Sequence, residues 1–237
     1  MYDLIADNYS SIFPVDDITV EFINTYLMAN NSKSILDIGC ATGDLSIALS
    51  HKGYLVSGFD LNARMIDIAK TKTSNSLVNF SVGNMLELDK NITFDCVICL
   101  GNTMPHVASW QQLNSLINTL YTIVNDNGFV IIQILNYDRI LHDKKIDFQT
   151  KEDSNYIFKR QYTNITSSSI TFEIEFYDKK SLQKHTDSTE LLPIERKRLV
   201  DLMIKNGFKN INVFSDYDRN PATKNDYYNV FVAQKKI

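Results

Sequence analysis

Cysteine is scarce in this chain of 237 residues, which has only three: Cys40, Cys96 and Cys99. An odd number of cysteines without a recurring spacing argues against a disulfide scaffold. Cys96 and Cys99 have the C-x-x-C spacing of some metal and redox sites, but they lie in an apolar, strand-like run. Positions three apart in a strand face opposite sides, and the four histidines include no His-x-x-x-His pair. We therefore expect buried core cysteines and no bound metal.

Long apolar runs and an excess of positive charge are also absent. The apolar run from Gly128 to Leu135 is far too short to cross a bilayer. The chain begins Met1-Tyr2-Asp3, without the basic and apolar regions of a signal peptide. The formal net charge is −4 at pH 7, and the basic runs are short. We expect a cytoplasmic protein with neither a membrane nor a nucleic acid as its partner.

Glycine is sparse too, yet five of the eight glycines fall at or near the ends of predicted strands. Apolar periodicity predicts helical structure over residues 1–32 and then an alternation of strands and helices. The strands are Ser34–Ile38, Tyr54–Phe59, Leu77–Val82, Phe94–Leu100 and Phe129–Leu135. The helices between them cover roughly Asp44–His51, Asn62–Lys72 and Ser109–Val124. This alternation predicts a doubly wound α/β fold, with a mostly parallel sheet covered on both faces.

The pattern changes after Asn136. Tyr156–Tyr162 and Ile170–Tyr177 alternate with period two and lack a helix between them, which predicts an antiparallel hairpin. A helix over Pro193–Asn206 and strands over Phe208–Ser215 and Tyr228–Gln234 then bring the main sheet to seven strands. We therefore predict a core of residues 1–136 and 190–237, with residues 137–189 inserted as an antiparallel β lid.

The most informative stretch is Asp37-Ile38-Gly39-Cys40-Ala41-Thr42-Gly43, where an apolar strand runs through small residues into a helix. Small residues let backbone atoms approach a ligand closely. The spacing is G-x-x-x-G, so it is neither the G-x-G-x-x-G of nicotinamide enzymes nor a P-loop. Asp60 follows at the end of the second predicted strand, where a carboxylate can accept both hydroxyls of a ribose. Loop and acid together resemble motif I and the acidic motif of class I S-adenosylmethionine-dependent methyltransferases.

That resemblance implies S-adenosylmethionine as the cofactor and assigns positions around it. Asp37 lies beneath the amino acid portion, which backbone groups of Gly39, Cys40 and Ala41 hold. Leu61 and Met65 pack near the adenine and ribose, and Asn84 stands where the family often has an aspartate that binds the adenine amine. Tyr2 and Tyr9 belong to an opening that resembles Y-D-x-x-A-x-x-Y, whose tyrosines cover the methionine end or pack in the core. The remaining candidates for cofactor contact are Gly43, Met85, Leu100 and Gly101.

The methyl acceptor side carries a closer resemblance. Leu100-Gly101-Asn102-Thr103-Met104-Pro105-His106 is similar to the L-G-N-S-x-x-H stretch of glycine and sarcosine N-methyltransferases. Asn136-Tyr137-Asp138-Arg139-Ile140-Leu141 is similar to their N-Y-D-x-I-L stretch. The resemblance implies Asn102 and His106 as catalytic residues, Asn102 orienting the acceptor and His106 lying at the methyl end. It also makes Asn102 and Tyr137 candidates for substrate binding.

One departure from that family concerns the substrate. Glycine and sarcosine enzymes carry H-R immediately before N-Y-D, and the arginine grips the substrate carboxylate bidentately. Here those positions are Ile134 and Leu135, and leucine cannot bind a carboxylate. Arg160, on one face of the predicted hairpin, either meets an anionic group of the substrate or packs on the domain.

The sequence therefore predicts methyl transfer from S-adenosylmethionine to a nitrogen or oxygen of a small molecule other than free glycine. Three alternatives stay open: a dehydrogenase, a nucleic-acid or protein methyltransferase, and a non-catalytic S-adenosylmethionine-binding module. The loop spacing opposes the first. The net negative charge and the missing D/N-P-P-aromatic motif oppose a nucleic-acid substrate. The sequence does not distinguish a monomer from a homodimer.

Overall fold

The computed structural model describes residues 2–236 and contains two β-sheets with helices packed around them. The strands, numbered in chain order, are β1 (Ser34–Ile38), β2 (Leu55–Asp60), β3 (Val78–Val82), β4 (Phe94–Cys99), β5 (Val124–Leu135), β6 (Lys151–Glu152), β7 (Tyr156–Thr163), β8 (Ile170–Asp178), β9 (Gln183–Leu191), β10 (Lys209–Phe214) and β11 (Tyr228–Gln234). The helices are α1 (Tyr9–Ile12), α2 (Asp17–Ala29), α3 (Asp44–His51), α4 (Ala63–Thr71), α5 (Trp110–Ile123), α6 (Tyr137–Asp143) and α7 (Arg196–Lys205). Single 3-10 turns lie at Tyr2–Leu4, Ala6–Asn8 and Met104–His106.

Seven strands form the main sheet in the order β10-β11-β5-β4-β1-β2-β3. Strands β1 to β5 are parallel, and β11 is antiparallel to both β5 and β10. The chain builds outward from β1 to β3 and then returns to the other side of β1 with β4, so the strand order reverses between β1 and β4. Ligands of such sheets bind outside the carboxyl ends of the strands at this reversal. The predicted doubly wound, mostly parallel seven-stranded sheet is confirmed.

Alternating apolar residues bury both faces of this sheet. Ile35 and Cys96 lie in the layer beneath α2, whereas Leu36 and Cys99 lie in the layer beneath α5. Both cysteines are buried free thiols. The prediction of core cysteines on opposite faces of a strand is therefore confirmed.

The predicted helical region over residues 1–32 is interrupted. The chain leaves the helical conformation between α1 and α2, at Phe13–Asp16. Pro14 accounts for the break, because a proline disfavours the helical conformation of the residue before it. The Asp16 side chain then caps α2 by accepting a hydrogen bond from the Thr19 amide at 2.8 Å.

Two further boundaries differ from the prediction. The last helix begins at Arg196, with Glu195 as its N-cap, so Pro193 belongs to the extended segment before it. Gly207 follows the helix with φ of +105°, in the C′ position that was predicted for it. Strand β5 begins at Val124, before the predicted Phe129, because it includes a polar stretch with no apolar alternation.

The second sheet is antiparallel, in the order β6-β7-β8-β9. Its central hairpin pairs Tyr156 with Asp178 and Tyr162 with Phe172, which confirms the predicted antiparallel lid. Strand β9 was not predicted as a strand, because most of its side chains are polar and exposed and its sequence lacks an apolar period. Whether residues 137–189 form a unit separate from the core stays a prediction.

One face of this lid sheet packs against the N-terminal segment. Phe158 and Ile174 of the lid share an apolar cluster with Ile5 and Ile12, and this cluster also includes Ala41 of the glycine loop. The N-terminal segment and the lid therefore meet above the carboxyl edge of β1. Within residues 2–236, no helix is both long and apolar enough to span a bilayer.

Candidate active site

The turn after β1 requires both of its glycines. Gly39 has φ of +73° and Gly43 has φ of +80°, a region that side chains disfavour. A Cβ on Gly39 would lie 2.5 Å from Cγ2 of Thr103, and one on Gly43 would lie 2.5 Å from Cζ of Phe80. Gly43 is also the N-cap of α3. The loop is thus pressed against its neighbours and has little freedom to move.

Backbone hydrogen bonds hold the same loop to β2. The amides of Gly39 and Cys40 both donate to the Phe59 carbonyl, at 2.8 and 3.0 Å. The Ala41 amide donates to Oδ2 of Asp60 at 2.9 Å. These three N–H groups are therefore used within the protein, and carbonyl oxygens and side chains are left for the predicted cofactor contacts.

Asp60 is held in a fixed orientation at the end of β2. Its Oδ1 accepts from the Asn62 amide at 2.9 Å, while its Oδ2 accepts from Ala41. Burial raises the pKa of this carboxyl, although the backbone amides oppose the shift. A carboxylate oxygen has two lone pairs, so each oxygen keeps capacity for one further donor, such as a ribose hydroxyl.

A cavity of about 670 Å³ opens beside Asp60 at the carboxyl edge of the sheet. Predicted cofactor and catalytic residues that line it are Tyr9, Gly39, Ala41, Asp60, Leu61, Met65, Asn84, Met85, Gly101 and His106. An adjoining cavity of about 200 Å³ shares Tyr9, Gly39, Ala41 and Gly101 with it and adds Asp37, Cys40 and Leu100. The structure thus gathers residues from five separate stretches of chain around one space.

The lining of this cavity fits the parts of S-adenosylmethionine. Leu61 is 72% exposed although it is a large apolar side chain at the cavity wall, as suits a residue that covers an adenine. Asn84 also lines the wall, but its Oδ1 already accepts from the Leu86 amide at 3.0 Å. Met65 is buried under the loop. A ribose acceptor, an apolar wall and a tight glycine turn are therefore combined in one place.

Asp37 lies at the end of β1, beneath the loop. It is buried and accepts a hydrogen bond from the Ser46 hydroxyl of α3 at 2.5 Å. Burial raises the pKa of this carboxyl to about 6, and the Ser46 hydrogen bond opposes the shift. Asp37 therefore anchors α3 from below the position that the resemblance gives to the cofactor's amino acid portion.

On the acceptor side, Asn102 joins the main sheet to the lid. It has φ of +63°, and its Nδ2 lies 3.1 Å from the hydroxyls of both Tyr137 and Tyr162. Its Oδ1 accepts from the Leu135 amide at 3.0 Å. Tyr162 comes from β7 of the lid, so the predicted pair of Asn102 and Tyr137 is completed by a lid residue.

His106 lies on the 3-10 turn after β4 and pairs with the N-terminal segment. Its Nε2 is 3.1 Å from the Tyr2 hydroxyl, and both residues line the cavity. Burial lowers the pKa of His106 to about 4. The imidazole is therefore neutral at pH 7 and offers one lone pair and one N–H.

None of the three predicted substrate residues, Asn102, Tyr137 and Arg160, lines the 670 Å³ cavity. Arg160 lines a separate cavity of about 500 Å³ on the lid sheet. It lies on the same face of β7 as Phe158 and Tyr162, with its guanidinium against the rings of Phe13 and Phe148. That position is compatible with both predicted roles of Arg160, which are packing on the domain and binding of an anionic group.

Polar contacts close the N-terminal segment over the site. Lys72 binds Asp44 at 2.8 Å and the Ser10 hydroxyl at 2.7 Å, and Ser10 donates to Asp44 at 2.7 Å. Arg64 of α4 pairs with Asp7 of the segment. These contacts, the lining residue Thr103 and the contact of Tyr162 with Asn102 were missed from the sequence, since each joins stretches far apart in the chain and no local pattern marks it.

Comparison with known proteins agrees with this arrangement. The methyltransferase domain family matches residues 35–128 of the chain. The glycine/sarcosine N-methyltransferase of Parasynechococcus marenigrum (strain WH8102) is 25% identical over 220 residues, which cover 91% of this chain and 76% of that protein. The sheet order, the glycine turn with Asp60 and these matches together define a class I S-adenosylmethionine-dependent methyltransferase.

Solved structures share the fold of this chain over nearly its full length. An S-adenosylmethionine-dependent methyltransferase from Clostridium acetobutylicum ATCC 824 superposes with a TM-score of 0.85 at 16% identity, covering 100% of this chain and 99% of that one. CalS10, an amino pentose methyltransferase from Micromonospora echinaspora solved with S-adenosylmethionine bound, gives a TM-score of 0.70 at 15% identity, covering 93% and 92%. This likeness confirms the fold over nearly the full chain.

Proposed function

We propose that this methyltransferase acts on a nitrogen or oxygen of a small molecule other than free glycine. One observation carries the proposal: Gly101, Thr103 and His106 of the acceptor loop line the same cavity as Asp60 and Leu61. The cofactor and the methyl acceptor can therefore bind side by side in this cavity. The volume of about 670 Å³ also lies within the range of small-molecule sites, roughly 300–1,000 Å³.

The roof of the cavity favours a small acceptor over a polymer. Tyr2 and Asp3 of the N-terminal segment and Thr189 of the lid strand β9 line it from above. A polymer would have to pass its chain beneath these two elements. A metabolite fits under them without displacing either one.

Methyl transfer asks the protein to align two groups and exclude water, while S-adenosylmethionine supplies the activated methyl group. The lowered pKa of His106 makes its neutral ring a weak base, so its proposed role is to orient the acceptor rather than to take its proton. If Nε2–H donates to the Tyr2 hydroxyl, Nδ1 keeps its lone pair for a hydrogen bond from the acceptor. Asn102, fixed by Tyr137 and Tyr162, would orient the acceptor with its amide dipole.

Free glycine is excluded from the proposal because of Leu135. This side chain is buried at the end of β5, and its amide is tied to Asn102. A substrate carboxylate placed against it would stay unpaired, and an unpaired buried charge is costly. The names of an amino pentose methyltransferase and of KedS8, a sugar N-methyltransferase from Streptoalloteichus sp ATCC 53650, instead support an amine on a larger body.

Transfer of a labelled methyl group from S-adenosylmethionine to a library of metabolites tests this proposal. The native protein and Leu135→Arg are assayed side by side with glycine, sarcosine and the library. We expect the native protein to methylate a larger amine or alcohol and to ignore glycine. Efficient glycine turnover by the native protein would contradict the exclusion. Absence of transfer to any acceptor, with S-adenosylhomocysteine bound, would contradict the small-molecule proposal.

A further inference from the structure

Arg160 is a half-buried charge without an ion-pair partner among residues 2–236. Its Nε is buried and makes no hydrogen bond. The largest charge interactions on it within residues 2–236 come from tyrosines, namely Tyr227, Tyr162, Tyr2 and Tyr9. A guanidinium removed from water without an anion destabilises the folded state. A structural role in the lid would be met at lower cost by an apolar side chain.

Aromatic rings surround the Arg160 guanidinium, and they leave its N–H groups without hydrogen-bond acceptors in the part of the chain that the structure describes. Its Cζ lies 5.0 Å from the ring centre of Phe13, 4.7 Å from that of Phe148 and 5.8 Å from that of Phe158. Aromatic faces attract a cation but accept none of its five N–H donors in hydrogen bonds of ordinary strength. Those donors form a fork that matches two oxygens of a carboxylate or phosphate.

The tyrosines near Arg160 connect it to the acceptor side of the site. Tyr2 is hydrogen-bonded to His106, and Tyr162 is hydrogen-bonded to Asn102. Asp187 is in register with Arg160 across β8, two strand spacings or about 10 Å away along the sheet. Arg160 therefore adjoins the two residues that the proposed function gives to the acceptor.

We propose that Arg160 binds an anionic group of the methyl acceptor, a carboxylate or a phosphate, by a bidentate pair. This inference rests on the proposed function and narrows it. Arg160 and Tyr162 are two positions apart on one strand, which corresponds to roughly 7 Å. The acceptor therefore carries its charge several bonds from the atom that is methylated, unlike glycine. The positive charge that Leu135 does not provide on the main sheet comes from the lid instead.

The first experiment observes the guanidinium directly, without knowledge of the acceptor. The Nε–H resonance of Arg160 is assigned by its loss in Arg160→Met, with the protein saturated by S-adenosylhomocysteine. Titration with sodium acetate and with inorganic phosphate should shift this resonance, whereas sodium chloride at the same ionic strength should not. A resonance that responds to neither oxyanion would overturn the proposal.

The second experiment uses matched acceptors: glucosamine with glucosamine 6-phosphate, and butylamine with 4-aminobutyrate. We expect the native protein to favour the anionic member of the productive pair by about tenfold to a hundredfold in kcat/KM. Arg160→Met should remove that preference, and Arg160→Lys should keep part of it because lysine retains the charge without the fork. Lys159→Met is the matched control, since Lys159 is an exposed cation on the opposite face of the same strand. Equal use of both members by the native protein would overturn the proposal.

Calorimetry separates the acceptor's anion from the carboxylate of the cofactor itself. S-adenosylhomocysteine should bind native protein and Arg160→Met with equal affinity. A tenfold loss in the variant would place the cofactor's carboxylate on Arg160 and overturn the assignment to the acceptor. The melting temperature of Arg160→Met should be unchanged or higher, and a marked drop would reveal a structural role. If no acceptor is methylated, the proposed function fails, while the Nε resonance still decides whether Arg160 binds an anion.

Discussion

The cofactor half and the acceptor half of the site are built in different ways. Around Gly39 and Asp60, backbone amides and one strand-to-helix turn fix the geometry within a short span of chain. Around Asn102, the contacts come from Tyr137 after β5 and Tyr162 in the lid. In the proposed roles, the first half offers a fixed backbone geometry to a constant ligand, whereas the second half takes part of its contacts from the lid.

The largest effect should come from Gly39→Ala. The new Cβ would meet Thr103, whose hydroxyl is itself hydrogen-bonded to the Leu100 carbonyl at 2.8 Å. Together with the left-handed φ, we expect about 2–5 kcal/mol of lost unfolding free energy and no measurable S-adenosylhomocysteine binding. Gly53→Ala is the matched control, because Gly53 has φ of +93° but open space around it. Equal losses in the two variants would contradict the role of crowding.

Lowering the pH should destabilise the folded protein through His106 and stabilise it through Asp37. His106 has its pKa lowered from 6.5 to about 4, so the unfolded chain binds this proton first and its contribution to stability is lost as the pH falls from about 6.5 to 4. Asp37 has its pKa raised from 3.8 to about 6, so the native state binds that proton first, and acidification from about 6 to 3.8 relieves its cost.

Each of these two contributions amounts to about 3 kcal/mol at full titration. Relative to the native protein, His106→Gln should gain stability as the pH falls from 7 to 4. Asp37→Asn should have its greatest relative stability at pH 7 and lose that advantage on acidification. Urea unfolding at a series of pH values measures both. If the relative stabilities of the two variants changed in the same direction with pH, the opposite pKa shifts of His106 and Asp37 would be contradicted.

Asp60→Ala should affect only the cofactor half. Hydrogen bonds to a charged group contribute roughly 1.5–3 kcal/mol, which corresponds to a tenfold to hundredfold loss of affinity for S-adenosylhomocysteine. Asp67→Ala, on the exposed face of α4, is the control. Calorimetry on the folded variants decides the matter, and an unchanged affinity for Asp60→Ala would exclude Asp60 from ribose binding.

The smallest effect should come from Tyr162→Phe, which confines the change to the acceptor half. The ring stays while its hydroxyl contacts with Asn102 and Tyr137 are lost. A typical hydrogen bond contributes about 0.5–1.5 kcal/mol, so KM for the acceptor should rise about twofold to tenfold. The affinity for S-adenosylhomocysteine should not change. A loss in cofactor affinity would show that the two halves are coupled.

The same contrast explains what the sequence could predict. The turn from β1 into α3 and the position of Asp60 follow from local spacing, and β1 and β11 match their predicted bounds. Strand β9 was missed because its pairing with β8, rather than its own polar sequence, makes it a strand. Tyr162 reaches Asn102 only through the packing of the lid, and the pairing of Tyr2 with His106 spans most of the first half of the chain.

The N-terminal segment has a consequence for the turnover of the enzyme. It lies across the cavity, and its polar attachments include the ion pair of Asp7 with Arg64 and the hydrogen bonds of the Ser10 hydroxyl with Asp44 and Lys72. Ion pairs near the surface contribute little, about 0–1 kcal/mol each, and salt screens them. We expect cofactor and demethylated product to exchange when this segment moves. Because the buried Ile5 and Ile12 also hold it against the lid, added salt should shorten the residence time of both only slightly.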